Sequence, residues 1–292
     1  MPSTRNSCSD QERSSDPAIA TLICGLGSLI DGPAYVCRLI ACGPKAIPGL
    51  TNLLLQEKPC SVSQPRQWAA EALGALGAYD VLLEYLRRPI EIQNLVVRHA
   101  EQAVQNTAAR ELSRYRTEEA FSVLFDCLRL HPLPGIIEAI GAYRRNETAP
   151  YLLDALEDDV GRSAAIEALR GLADGVRGLL IESAMTRKPC PPEFETASSL
   201  HRRRCCVRLL DQLNLTEPEV SRLAALLHED DADLVVATAE VLVRASHFND
   251  YQSALLHLSR VEQKVPWWLR EEYDSVRSNA AEKVSVHANV HS

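Results

Sequence analysis

A short pattern of small and branched apolar residues around a glutamate returns along this chain at the spacing of one helix pair. Ala70-Glu71-Ala72-Leu73-Gly74-Ala75-Leu76-Gly77 is the fullest copy. Ala100-Glu101-Gln102-Ala103-Val104, Ile137-Glu138-Ala139-Ile140-Gly141-Ala142, Ile166-Glu167-Ala168-Leu169-Arg170-Gly171-Leu172 and Ala239-Glu240-Val241-Leu242-Val243 follow it. Successive glutamates stand roughly thirty to thirty-seven residues apart, and about twice that between Glu167 and Glu240. A helix–turn–helix unit has this length, so self-similarity at this period predicts stacked helix pairs that need no single central core.

Each echo is preceded by a second amphipathic segment. Pro48 opens the stretch leading to Leu53-Leu54-Leu55, and Pro150 opens the one leading to Leu156. Proline is tolerated there because the first helical turn has no intrahelical acceptor for its missing N–H. Tyr151, Leu152, Ala155 and Leu156 share one helical face, and Trp68, Ala69, Ala72, Leu73 and Leu76 share another. Aromatic residues are only 5% of the chain, which favours closely packed helices over a β-sandwich. The expected fold is all-α: a right-handed α-solenoid of about seven irregular antiparallel helix pairs.

These pairs resemble HEAT repeats, in the short variety found in phycobilin-lyase-like proteins. The resemblance is clearest over 42–77 and 146–173. Its acid-then-basic connection has a counterpart in Asp158-Asp159 followed by Arg162, whereas Asp233 is followed by no arginine. The likeness implies that the first helix of each pair lines the outer surface and the second the inner.

Residues 1–15 are polar and aperiodic and are expected to be a disordered tail, as is 285–292; the helical array is expected over 16–284. Lys188-Pro189-Cys190-Pro191-Pro192-Glu193-Phe194 interrupts the helical pattern, since its prolines exclude a helix. The first sixteen residues mix acids with arginines, unlike a secretory signal, and Ala18 to Ile30 is too short to span a bilayer. The nine cysteines contain no Cys-x-x-Cys pair and fit reduced thiols packed as small hydrophobes. A cytoplasmic location is expected.

Signals for chemistry are sparse. Deoxyhypusine hydroxylases, catalytic relatives in the HEAT class, hold iron with several His-Glu pairs; this chain has one such dipeptide, His228-Glu229. His287 and His291 stand at i, i+4 near the C-terminus, where a frayed end explains them better than a metal. Cys205-Cys206 lies between Arg204 and Arg208, but no histidine with a recognisable catalytic context accompanies the pair. No catalytic residue, cofactor or metal is expected.

The net charge of −8 argues against a broad phosphate-binding surface and biases the protein toward basic partners. The one dense basic segment is His201-Arg202-Arg203-Arg204, continued by Arg208. The resulting expectation is a non-catalytic scaffold that meets a protein partner through rim arginines, with Arg98, Arg202, Arg203, Arg204 and Arg208 as the contact residues. The alternatives are a nucleic-acid-binding or DNA-processing protein using the Arg202–Arg208 cluster, and a bilin-lyase-like chaperone, which would need an apolar cavity with a few oriented polar groups. Trp267-Trp268, with Leu269 and Tyr273, is expected to seal the end of the stack.

Overall fold

The computed structural model describes residues 16–89, 91–190, 194–245 and 248–290, and the chain divides into two compact units, Met1–Val123 and Leu124–Ser292. Residues 1–15, with the tail expected there, lie outside the described part.

In the first unit six helices pack as three pairs: α1 (Pro17–Gly25) with α2 (Gly32–Ala41), α3 (Ile47–Leu55) with α4 (Gln64–Ala75), and α5 (Tyr79–Arg87) with α6 (Leu95–Leu112). Contacts also run from α1 to α3 to α5 and from α2 to α4 to α6, so the first helices form one layer and the second helices another. Small residues set the spacing of the layers. A Cβ on Gly32 of α2 would fall 1.8 Å from the Trp68 ring of α4, so the indole occupies the room that the missing side chain leaves.

α7 (Glu118–Leu130) carries the chain from the first unit to the second. There α8 (Pro134–Gly141) packs on α10 (Arg162–Leu172), itself paired with α9 (Ala149–Ala155). Three further pairs follow: α11 (Arg177–Met185) with α12 (Ala197–Leu210), α13 (Glu217–Ala224) with α14 (Ala232–Arg244), and α15 (Tyr251–Val261) with α16 (Arg270–Val290). The same two-layer arrangement holds here, with α8, α10, α12, α14 and α16 in one row. The helix starts are locally encoded. Pro17, Pro33, Pro65, Pro150 and Pro218 occupy first-turn positions, and Thr216 with Glu219 closes a capping box at α13.

The echo of the glutamate pattern falls on α4, α6, α8, α10 and α14, all second-row helices, and the missing copy corresponds to α12. The last helix, α16, runs on to Val290, past the expected boundary at 284. In the proline-rich connector, β1 (Pro189–Cys190) and β2 (Phe194–Glu195) form a two-residue antiparallel ladder. The end-cap expectation is half corrected. Leu269 and Tyr273 are buried, but Trp267 and Trp268 project outward, Trp267 being 88% exposed. Among the described residues no helix is long and apolar enough to cross a membrane.

Candidate ligand-binding site

The arginines singled out from the sequence are mostly internal fasteners of the second unit. Arg203 is 1% exposed. Its Nε donates to the Ala184 carbonyl, Nη1 to Glu195 and Nη2 to Glu229, each at 2.7 Å. Arg202, also buried, reaches the Thr186 carbonyl at 2.8 Å and Glu157 at 2.9 Å. Arg204 is held by Asp231, the side-chain N-cap of α14, and Arg208 bridges Asp233 and Glu272. A phosphate or an acidic protein surface would have to displace these carboxylates, so Arg202 and Arg203 do not form the exposed rim expected of them. Arg98 is exposed, and it folds back to donate to the carbonyls of Ile92 and Gln93.

The same network fastens the connector. Glu195 of β2 accepts from Arg203 and Ser199, and the Lys188 amide donates to Ser199 Oγ at 2.9 Å. Cys206 is buried, which pushes its thiol up to about 12, and Cys205 is raised for the same reason. Neither is a thiolate near neutral pH. Glu229, half of the single His-Glu dipeptide, is shared by Arg203 and Arg187. Among the described residues no group of three or more His, Cys, Asp or Glu side chains is placed to hold a metal ion. The side chains of His287 and His291 lie outside the described part.

A different site emerges in the first unit. The last carbonyls of α3 have no intrahelical donors, and two arginines supply them. Arg66, from the first turn of α4, donates through Nη2 to the Leu54 carbonyl at 2.7 Å, and Arg88 donates through Nη1 to the Leu55 carbonyl at 2.5 Å. Arg162 closes the turn from α9 to α10 in the same way, with Nε 2.9 Å from the Leu156 carbonyl and Nη2 2.7 Å from Asp159. Arg66, however, is buried at 6% exposure, so its charge needs a partner inside the protein. That partner is Glu101 of α6, which bonds Arg66 Nη1 and also accepts from the Tyr85 hydroxyl of α5 at 2.7 Å. The guanidinium carbon lies 5.7 Å from the Tyr85 ring centroid. Burial, and then the Glu101 carboxylate, drive the Tyr85 pKa far above the usual tyrosine range, so the hydroxyl stays a donor.

This triad lines a cavity of about 190 Å³. Leu54, Leu55, Pro59, Pro89 and Ile92 supply apolar wall, and Gln105 stands one turn beyond Glu101 on the same face of α6. Two buried wall atoms lack a partner: the Gln105 Oε1 acceptor and the Arg66 Nε donor. Arg98 holds the Ile92 carbonyl and so fixes the connection between α5 and α6 that forms one side of the mouth. Glu57 and Glu91, both exposed, stand at the rim.

The sequence pattern pointed away from this place. Glu101 reads as one more copy of the repeated glutamate, yet Glu71, Glu138 and Glu167 are exposed while Glu101 is turned inward. The copy on the long α6 is therefore out of register with the others. An available signal was Pro65-Arg66 in the first turn of a helix, the turn in which Arg162 also stands on α10.

No family model matches the chain, and no curated protein matches it. Among solved structures it is similar to human deoxyhypusine hydroxylase in complex with glycerol. That alignment has 17% identity and covers 92% of this chain and 97% of the other, with a TM-score of 0.33. The expectation of a non-catalytic scaffold is corrected on this finding. The structure matched is that of a hydroxylase.

Proposed function

We propose that the protein binds a small ligand in the cavity of its first unit. The observation that carries this reading is the Arg66–Glu101–Tyr85 triad. A buried ion pair is a weak source of net stability, since desolvation offsets most of its attraction. Here it lies under an apolar-walled opening with unpartnered polar atoms, the combination expected where a few oriented groups meet a ligand. The volume is below the roughly 300–1,000 Å³ of drug-sized sites, so the occupant is a small molecule or the end of a larger one. The two-layer packing inside each unit supports reading the architecture as a HEAT-like, right-handed α-solenoid. On that reading the cavity sits where three successive helices, α4, α5 and α6, converge on the end of α3.

A fragment screen by thermal shift tests the proposal, with Ile92→Trp as the control that fills the mouth. Fragments should raise the melting temperature of the natural protein and leave that of the variant unchanged. Hits that stabilise both equally, or no hits at all, would overturn the assignment.

A further inference from the structure

The charge inventory of the same cavity narrows the class of ligand. We infer that it takes a monovalent organic cation, an alkylammonium or alkylguanidinium head on a short aliphatic stem. This inference rests on the binding reading above and goes further by naming the ligand's chemistry.

Both cations in the wall already have partners. Arg66 is neutralised by Glu101 and uses its remaining Nη on the Leu54 carbonyl, while Arg88 is paired with Glu84 and bonded to the Leu55 carbonyl. Neither is free to receive an anion. The carboxylates are unequal to this balance. Glu57 and Glu91 line the mouth with no ion-pair partner among the described residues, so the site keeps a negative excess. Glu57 also edges a larger groove of about 760 Å³ along α1 and α3.

An acidic rim alone would be an ordinary solvated surface. The independent observation is Gln105, 6% exposed, whose Oε1 has no donor. A buried acceptor without a partner is costly, and a ligand N–H satisfies it. The stem then lies against Leu54, Leu55, Pro59 and Ile92, where a charged head without an aliphatic portion would leave the walls uncovered. The two rim carboxylates supply the neutralising charge through partly screened water.

The test uses the full-length, ¹⁵N-labelled protein and four probes of similar shape: n-butylguanidinium, n-butylammonium, butyramide and butyrate. Amide shifts near Leu55, Ile92 and Gln105 report occupancy. Both cations should bind there, more weakly as salt is raised, with butyramide weaker and butyrate silent. The double variant Glu57→Gln/Glu91→Gln, confined to exposed positions, should lower cation affinity about tenfold and leave butyramide unchanged. Binding of butyramide or butyrate in preference to the cations would overturn the cation assignment and leave the binding site standing. Cation binding insensitive to the double variant would also overturn it. Silence of these amides to all four probes would overturn both.

Discussion

The ion pair between Arg66 and Glu101 makes a sharp energetic prediction, because both side chains are almost wholly withdrawn from water. Replacing Glu101 by Leu strands a buried guanidinium, and replacing Arg66 by Met strands a buried carboxylate. Each single change should cost about 3–5 kcal/mol, chiefly from the uncompensated charge. If the two costs were independent, the double variant would lose roughly 6–10 kcal/mol, enough to unfold most domains. The structure predicts otherwise. With both charges gone, the remaining losses are the partners of the Leu54 carbonyl and the Tyr85 hydroxyl, about 1–3 kcal/mol each. The double variant should therefore lose about 2–6 kcal/mol, close to the loss of either single one, with a coupling energy of about 4 kcal/mol. Urea denaturation can measure this within the first unit. The chain has three tryptophans, and substituting the outward-facing Trp267 and Trp268 by Phe leaves Trp68 of α4 as the reporter. Midpoints at an unchanged m-value give the four free energies. Additive losses, or a double variant as unstable as the sum, would refute the buried-pair account.

Four other consequences can be checked independently. Tyr85 is held protonated above its usual value near 10. Its stabilisation is complete below that pH and lost as pH rises beyond it, so Tyr85→Phe should flatten the alkaline limb of the stability curve. His257 is buried and packs edge-on against His228, ring centroids 4.3 Å apart. Desolvation first, then His228 and Arg260, lower its pKa, against the opposing pull of Asp250. The stability it confers is present above about 6.5 and is lost as pH falls through the lowered value, so His257→Phe should reduce acid destabilisation in equilibrium unfolding. Gly32→Ala drives a methyl into the Trp68 ring, and a loss of about 1–3 kcal/mol should appear as a lower urea midpoint. Arg203→Glu places a carboxylate between Glu195 and Glu229, and hydrogen exchange should show α12 and the connector opening together.

The helix pairs were legible because their cause is local. Apolar positions recur at helical spacing, prolines sit in first turns, and a motif of near-constant period repeats wherever one helix must bury the same kind of face against its neighbour. Leu73, Ile140 and Leu169, core positions of three copies of that motif, are all buried. The arginine cluster was equally visible and its use was not. Arg202, Arg203 and Arg204 are consecutive, yet their partners Glu157, Glu195, Glu229 and Asp231 are scattered over the neighbouring helix ends and the connector. Composition counts charges but does not pair them.

The cavity shows the same limit from the other side. Sequence determined that α4, α5 and α6 exist and that each carries an apolar face. It also placed Arg66 at a helix start, where an unused carbonyl of the preceding helix is close at hand. Only the tertiary structure decided that Glu101 turns inward while Glu71, Glu138 and Glu167 face water. The direction of a side chain on a long helix depends on which neighbour covers it, and at Glu101 the cover is a guanidinium from one helix and a phenol from another. Periodicity specifies a helix's faces; a site formed between helices depends on their packing against one another.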